Sequence, residues 1–449
     1  MEHATDLTGL AFVVITALAC GMLMARFRQP PLVGYLVAGV LLGPTGFKVV
    51  ESEGLIAGFA ELGVLLLLFV VGMELSVRTL RYTWRIALPA VILQTAGSLL
   101  AIFAMAWLLD ISYTTAILLG FVIALSSTAV AIKMLEDIGA LRARVGRITV
   151  AVLIAQDLAF LPMLLVVENL DIAQFNIISV LQIVGSVMLL FVLVRVLLSG
   201  GRRHLPFYRL IVGHKDLSPL AGLVYCFGAG ALLGAMGLSP AYGAFLAGLA
   251  IGNSAERQPM LEVVRPIQSI MMMVFFLSIG LLIDLTYMWN NISTVLVLFL
   301  IVTLFKSALN IGILRFLKES WTRAFLAGVL MSQVGEFSFL LAATGLAVAA
   351  ISPEESKLII SVTVMSLALS PFWLATARRL QHVMERPYET WNQVAQATFV
   401  GERAFLRRLL RLTRSRNEPN RAEPSSDGIS ARTPLTDPLR SESPSIDNA

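Results

Sequence analysis

Three ionisable side chains lie in the middle of long apolar segments. They are Asp157 in LIAQDLAFLPM (153–163), Lys306 in LFLIVTLFKSALN (298–310) and Glu336 in MSQVGEFSFL (331–340). A charge at the centre of a membrane-spanning helix costs about 2.5–3.5 kcal/mol on insertion scales, so proteins seldom keep one without a use. If these segments cross a membrane, the three residues are therefore the first candidates for a functional site.

Asp157 has the chemistry of a site for hard monovalent ions. A carboxylate among oxygen-bearing neighbours suits Na⁺, K⁺ or H⁺, and one carboxylate cannot hold a metal ion and a proton well at once. A site that faced the two sides of a membrane in turn would therefore exchange one ion for the other, as an antiporter does. We predict that Asp157 is this shared site, and that Gln156, Ser126, Ser127 and Thr128 complete its coordination together with backbone carbonyl groups.

Other roles remain open for the two remaining charges. Lys306 could form a purely structural ion pair with Asp157. Glu336 could bind an ion, although we favour the interpretation that it neutralises the exposed N-termini of interrupted helices. An intramembrane hydrolase would need a nucleophile with a basic partner, and none of the apolar segments carries a histidine.

The composition requires a lipid environment. Of the 449 residues, 57% are hydrophobic and only 14% are charged, against about 25% charged residues in soluble domains. The N-terminus has no basic region, so we interpret the first apolar segment as a retained helix. We predict an all-α polytopic membrane protein with about thirteen transmembrane helices, at residues 7–26, 31–47, 56–75, 86–109, 113–135, 147–168, 174–199, 217–236, 239–254, 264–284, 292–315, 322–347 and 356–378.

Basic residues alternate between the loops. The loops after odd-numbered segments carry almost all of the arginines, for example Arg78, Arg81 and Arg85, whereas the loops after even-numbered segments are acidic or neutral. By the positive-inside rule, this pattern places the N-terminus outside and the C-terminus in the cytoplasm.

Two short segments carry an internal repeat. PLVGYLVAGVLLG (31–43) and PAYGAFLAGLAIG (240–252) share proline, glycine and alanine at five equivalent positions. They are the second and ninth segments, and an offset of seven makes the two copies run in opposite directions. Inverted repeats are typical of secondary transporters. We therefore predict one transmembrane domain over residues 1–380, with repeats at about 31–168 and 239–378.

The repeat pairs the fifth segment with the twelfth. The fifth contains ALSSTAVAIK (124–133) and the twelfth contains MSQVGEFSFL (331–340), so each is interrupted by hydroxyl, amide or small residues. The hydroxyl groups could instead bond back within intact helices. Because matched interruptions point to a midplane ion site, we favour two broken helices that cross.

The segment after residue 380 is polar. ERAFLRRLLRLTRSR (402–416) is basic and amphipathic, so segment 381–416 could lie at the membrane surface or form a solvated helix. Residues 417–449 have the composition of a disordered tail. GAGALLG (228–234) lies inside an apolar segment and indicates helix packing rather than nucleotide binding. We expect no cofactor, and no nucleic acid as a partner.

Seven stretches of the sequence carry a family pattern. They are PPLVGYLVAGVLLGP (30–44), AELGVLLLLFVVGMEL (60–75), LSSTAVAIKML (125–135), AQDLAFLPML (155–164), AYGAFLAGLAIG (241–252), FFLSIGLLIDL (275–285) and SQVGEFSFLLA (332–342). Together they resemble the second monovalent cation:proton antiporter family, which includes the membrane domain of glutathione-gated potassium-efflux systems and related Na⁺/H⁺ exchangers. The resemblance covers about residues 7–380, in matching order and spacing.

The resemblance implies a homodimer whose subunits carry a scaffold and a mobile core. Asp157 matches the cation- and proton-binding aspartate, and Gln156 gives the Gln-Asp pair of potassium-type members. Lys306 matches the lysine of the core and Glu336 the glutamate at the crossing. A single aspartate implies electroneutral exchange. The potassium-efflux systems also carry a nucleotide-binding C-terminal domain, and we expect no such fold in the segment after residue 380.

We therefore expect an antiporter of the bacterial inner membrane that exchanges K⁺, or alternatively Na⁺, for H⁺ by alternating access. One alternative is a ligand-gated potassium-efflux protein that needs a separate regulatory subunit. Another is a sensor on a transporter scaffold that moves no ion. We do not expect the protein to be an enzyme.

Overall fold

The computed structural model describes residues 2–27, 30–43, 46–47, 53–75, 77–170, 177–199 and 217–369. The chain divides into two compact units, Met1–Thr398 and Phe399–Ala449, and every described residue belongs to the first. The segment 381–416 and the tail 417–449 lie outside the described residues.

The described residues form helices and no strand. The first half contains α1 (Glu2–Arg26), α2 (Pro31–Leu42), α3 (Glu53–Glu74), α4 (Val77–Leu109), α5 (Tyr113–Ala124), α6 (Thr128–Asp137), α7 (Arg144–Glu168) and α8 (Ile177–Ser199). The second half contains α9 (Leu217–Ala235), α10 (Pro240–Gly252), α11 (Arg257–Leu282), α12 (Leu285–Asn290), α13 (Ile292–Phe316), α14 (Trp321–Leu330), α15 (Phe337–Ala347) and α16 (Pro353–Ala368).

Each predicted segment contains one helix or two half-helices. The fifth is divided into α5 and α6 and the twelfth into α14 and α15, as expected for broken helices. The short helix α12 was not predicted, and Asp284 begins it by accepting the Tyr287 N–H at 2.9 Å. The predicted all-α fold with two crossing broken helices is confirmed.

Five described helices are individually long and apolar enough to cross a membrane. They are Thr83–Leu109, Arg144–Glu168, Leu217–Ala235, Arg257–Leu281 and Ile292–Phe316. Shorter apolar helices account for several of the other predicted segments, including both repeat helices and the half-helix α5. An interrupted span divides into pieces that are each too short to be recognised by length alone, although backbone groups in lipid still require internal partners.

The repeat glycines place α2 and α10 in equivalent surroundings. Gly34 of α2 lies against the α1 backbone at Cys20, and Gly243 of α10 lies against the α9 backbone at Ala229. A Cβ atom at either glycine would collide with that backbone. The first and eighth predicted segments therefore pack on the second and ninth in the same way, which agrees with the offset of seven.

The second glycine of each repeat packs against a third helix. Gly39 of α2 lies against the backbone of Leu277 in α11, whereas Gly248 of α10 lies against the backbone of Phe69 in α3. These neighbours are the tenth and third predicted segments, which are again seven apart. Close approach of backbones through glycine is a usual source of helix packing in lipid, and here it builds two related three-helix units.

The helix that carries Asp157 packs in the interior of a second group of helices, apart from the two three-helix units. α7 is the most buried of the five long apolar helices, and it contacts α4, α14 and α15. By contrast, α4, α9 and α13 expose large aliphatic side chains such as Leu100, Leu232 and Leu304. Lipid is the solvent that covers such surfaces.

Candidate functional site

The first helix break separates α5 from α6. Leu125 and Ser127 have extended backbone conformations, and the Ser127 hydroxyl begins α6 by accepting the Val130 N–H at 3.4 Å. The capping serine supplies a hydrogen-bond acceptor for a backbone N–H in the first turn of α6, which has no carbonyl partner within that helix. The hydroxyl run in the sequence therefore ends one half-helix and starts the next.

The second break crosses the first and pairs with it. Ser126 and Val334 form an isolated antiparallel bridge, and the Gly335 N–H donates to the Leu125 carbonyl oxygen at 3.3 Å. The Val334 N–H donates to the Ser366 hydroxyl of α16 at 3.1 Å. These backbone groups at the breaks thus have partners inside the protein, as the interior of a membrane requires.

Asp157 lies beside the crossing with one hydrogen-bond donor. Its side chain belongs to α7, the residue is only 7% exposed, and the Thr128 hydroxyl lies 3.2 Å from Oδ1 and 3.1 Å from Oδ2. Among the described residues, no lysine or arginine forms an ion pair with this carboxylate. Because one hydroxyl hydrogen serves one oxygen at a time, the carboxylate keeps acceptor capacity for a proton or a cation.

Lys306 lies on the break rather than on Asp157. Its Nζ is buried and donates to the Leu125 carbonyl oxygen. This carbonyl lies just beyond the C-terminus of α5, where the helix dipole favours a positive charge. The structural ion pair between Lys306 and Asp157 is therefore not the arrangement in this conformation.

Glu336 lies at the opposite kind of helix end. It precedes α15 directly, and its Oε2 accepts the Ser127 hydroxyl at 2.9 Å. Ser127 caps the N-terminus of α6. The carboxylate is therefore close to two helix N-termini, where a negative charge is favoured. Lys306 and Glu336 together place one charge of the appropriate sign at each kind of end.

The Gln156 side chain is engaged by the first break. Its Oε1 accepts the Ser126 N–H at 3.1 Å, and its Nε2 donates to the Ala124 carbonyl at 3.2 Å and to Gln94 Oε1 at 2.9 Å. Both amide hydrogens are thus used. The Ser126 hydroxyl donates to the Met331 carbonyl at 2.7 Å. All seven residues predicted from the sequence lie at the crossing. Of the four expected to join Asp157, Thr128 forms a hydrogen bond with it. The side chains of Gln156, Ser126 and Ser127 bond to other groups at the crossing.

Two buried amides at the site were missed by sequence reasoning. Gln94 of α4 donates to Asn310 Oδ1 of α13 at 2.9 Å, and Asn310 donates to the Met331 carbonyl at 3.1 Å. Their signal in the sequence is a single neutral amide within an apolar helix. Neither residue carries a charge that would mark it as costly in lipid.

Away from the crossing, Glu319 joins two helices at a loop. It accepts hydrogen bonds from Arg144 of α7 at 2.9 Å and from Arg323 of α14 at 2.7 Å. Burial tends to raise the pKa of Glu319, but these two arginines outweigh it and hold the pKa below its ordinary value. In the loop between α11 and α12, hydrogen bonds from the Tyr287 N–H and Lys357 lower the pKa of Asp284.

The fold and this crossing define a membrane transporter of the cation/proton antiporter class. The sequence profile described as "Sodium/hydrogen exchanger, transmembrane" matches residues 13–377. The chain belongs to this family, and the resemblance drawn from its motifs is confirmed.

Individual relatives carry different names. The "Iron transporter MagA" of Paramagnetospirillum magneticum strain AMB-1 is 45% identical over 425 residues, covering 93% of this chain and 98% of that protein. The "Glutathione-regulated potassium-efflux system protein KefC" of Shigella sonnei is 30% identical over 397 residues, covering 85% of this chain and 62% of KefC. This chain thus matches less than two thirds of the length of KefC.

A solved structure has the same fold. The sodium proton antiporter MjNhaP1 from Methanocaldococcus jannaschii aligns with a TM-score of 0.64 at 15% identity, covering 84% of this chain and 99% of that one. At this identity the match establishes the architecture.

Proposed function

We propose that this protein exchanges a monovalent cation for H⁺ by alternating access, with Asp157 as the shared binding site. The observation that carries the proposal is the buried Asp157 carboxylate at the crossing, with the Thr128 hydroxyl as its donor and no cationic partner among the described residues. A carboxylate in such surroundings is stabilised by binding either a proton or a cation. Competition between the two couples their movements.

The charge arrangement supports one-for-one exchange. Lys306 and Glu336 are each committed to a helix break through Leu125 and Ser127, so Asp157 is the group left to exchange its ligand. One carboxylate neutralised by either H⁺ or a monovalent cation carries the same net charge in both states. The predicted exchange is therefore electroneutral.

We favour K⁺ over Na⁺ as the exchanged cation. The support is the Gln156-Asp157 pair, which resembles that of potassium-type relatives, and the 30% identity to KefC. We further propose a homodimer in the bacterial inner membrane, with the N-terminus outside and the two inverted repeats at about 31–168 and 239–378. A separate regulatory subunit is the alternative for a ligand-gated efflux protein.

Iron is the second candidate, because MagA is named an iron transporter and is 45% identical. Transition-metal sites in proteins commonly use imidazole, thiolate or several carboxylates. In the parts of the chain that the structure describes, no three His, Cys, Asp or Glu residues come together. The oxygen ligands beside Asp157 suit a hard monovalent cation better.

The first experiment uses everted vesicles from a host that lacks its own antiporters. Dissipation of a respiration-generated pH gradient is recorded after addition of KCl, NaCl or a ferrous salt. The variants are wild type, Asp157→Asn and the matched control Asp284→Asn, whose carboxylate instead pairs with Lys357 at 3.1 Å in a loop.

We expect K⁺-dependent dissipation that Asp157→Asn abolishes and Asp284→Asn retains. If only Na⁺ or only Fe²⁺ dissipated the gradient, that ion and not K⁺ would be the substrate. No response from well-expressed wild type would overturn constitutive exchange, and would favour the gated protein or the sensor.

A further inference from the structure

Five hydrogen bonds at the helix crossing form a closed ring. It passes from the Ser126 N–H to Gln156, from Gln156 to Gln94, from Gln94 to Asn310, and from Asn310 to the Met331 carbonyl. The Ser126 hydroxyl donates to the same Met331 carbonyl and completes the ring. Every link has a donor–acceptor distance between 2.7 and 3.1 Å. The ring therefore joins both helix breaks to α4, α7 and α13.

The ring is buried throughout. Gln94 is 1% exposed, Gln156 is 2% exposed and Asn310 is 3% exposed. Gln94 and Asn310 lie on the fourth and eleventh predicted segments, which are seven apart. The bond between them thus links equivalent helices of the two repeats. In a low-dielectric interior, such a chain of amides is strong when complete and costly when one member is lost.

The two residues of the proposed ion site, Asp157 and Thr128, lie close in sequence to members of the ring. Ser126 precedes Thr128 by two residues, and Gln156 immediately precedes Asp157 on α7. Ser126 is held through two atoms, its N–H and its hydroxyl. The ring consequently fixes the end of the break from which the Thr128 hydroxyl reaches Asp157.

We infer that Gln94 and Asn310 are positioning residues that set the cation affinity of the Asp157 site by holding Gln156 and the two helix breaks in register. This inference rests on the proposed exchange function. Neither residue forms a hydrogen bond with Asp157, so each acts through the ring. It follows that Gln156 serves the ring through its amide while Asp157 and Thr128 meet the ion.

The test removes the amides without changing the size of the side chains. The variants are Gln94→Met, Asn310→Leu and the double variant. The matched controls are Ser98→Ala on α4 and Thr303→Val on α13, whose hydroxyl groups are buried without a hydrogen-bond partner among the described residues. The measurements are the apparent KM and maximal rate of K⁺/H⁺ exchange across pH, normalised to protein. The K⁺-induced rise in melting temperature of the purified protein provides a second measure of binding.

Each single variant is expected to raise the apparent KM about fivefold or more, which corresponds to the low end of the cost of an unpaired buried polar group. The melting-temperature rise should require correspondingly more K⁺. Because both residues belong to one ring, the double variant should be little worse than the worse single variant. Both controls should match wild type.

Variants with the wild-type KM would overturn the inference, as would a lower melting temperature with unchanged K⁺ binding, which indicates a merely structural role. If wild type exchanged no cation at all, the proposed function would fail instead. Should Asn310→Leu not accumulate in the membrane, Gln94→Met removes the other partner of the same hydrogen bond and carries the test without adding a charge. The same rise in KM is then expected.

Discussion

The ammonium group of Lys306 binds the carbonyl oxygen of Leu125, the residue that directly follows α5. The same oxygen also accepts the Gly335 N–H from the second break at 3.3 Å. A buried charge on α13 thereby ties together both interrupted helices. This arrangement makes Lys306 a residue of the crossing itself, separate from the carboxylate of Asp157.

Lys306→Met should destabilise the protein. The substitution removes a charged hydrogen bond to a helix C-terminus, and hydrogen bonds to charged groups contribute about 1.5–3 kcal/mol. The expected result is a lower melting temperature in detergent. Ser307→Ala is the control, since the Ser307 hydroxyl bonds only within its own helix, to the Thr303 carbonyl at 2.8 Å. Equal melting temperatures for the two variants would contradict this account.

Thr128→Val should weaken cation binding while the protein remains folded. Valine has nearly the shape of threonine, but it removes the hydroxyl that lies 3.1 and 3.2 Å from the Asp157 oxygens. We expect an apparent KM for the cation about fivefold higher or more, measured by gradient dissipation in everted vesicles. Thr128→Ser keeps the hydroxyl and should restore most of the affinity. If serine and valine behaved alike, the hydroxyl would have no part in binding.

The two helix breaks could be predicted because several signals agreed. Ser126, Ser127 and Thr128 interrupt an apolar run, and the glycine repeat predicts a second interruption seven segments later. The charges at Asp157, Lys306 and Glu336 are costly in lipid and are therefore visible in the sequence. All of these features are local or repeated, so no knowledge of tertiary contacts is needed to find them.

The hydrogen-bond partners at the site could not be predicted in this way. Consecutive helix residues point about 100° apart, so Gln156 reaches the break and Gln94 while its neighbour Asp157 reaches Thr128. Gln94 and Asn310 carry no charge and disturb no periodicity, and their bond depends on how α4 packs against α13. Partner choice of this kind is decided by tertiary structure.

Glu319→Gln should lower stability in a pH-dependent way. The folded pKa of Glu319 is depressed, so its ionised form adds stability above the unfolded pKa of about 4.3. That contribution is lost as the pH falls through the folded pKa. At neutral pH the variant should therefore melt at a lower temperature than wild type, and the difference should shrink toward pH 4 and below.

The control for this loop is Glu262→Gln, because Glu262 is exposed on α11 and accepts a hydrogen bond from Gln258 of the same helix at 3.2 Å. Melting curves from pH 3 to 8 compare the three proteins. A difference between wild type and Glu319→Gln that stayed constant over this range would show that the carboxylate charge is not the cause.

Gly248→Ala should disrupt the packing of α10 on α3 in one of the two three-helix units. The added Cβ would meet the backbone of Phe69 on α3, which cannot move without separating α10 from α3. Gly312→Ala on α13 is the matched control, since a Cβ there meets no atom within 4 Å and alanine favours a helix by about 1 kcal/mol over glycine. We expect Gly248→Ala to reduce the amount of folded protein extracted in mild detergent and to lower its melting temperature. Gly312→Ala should equal or exceed wild type in both measurements. Because lipid offers little hydrophobic gain between helices, backbone contact at Gly248 is what such a unit depends on, and full tolerance of alanine there would mean that α3 and α10 are held together by other contacts.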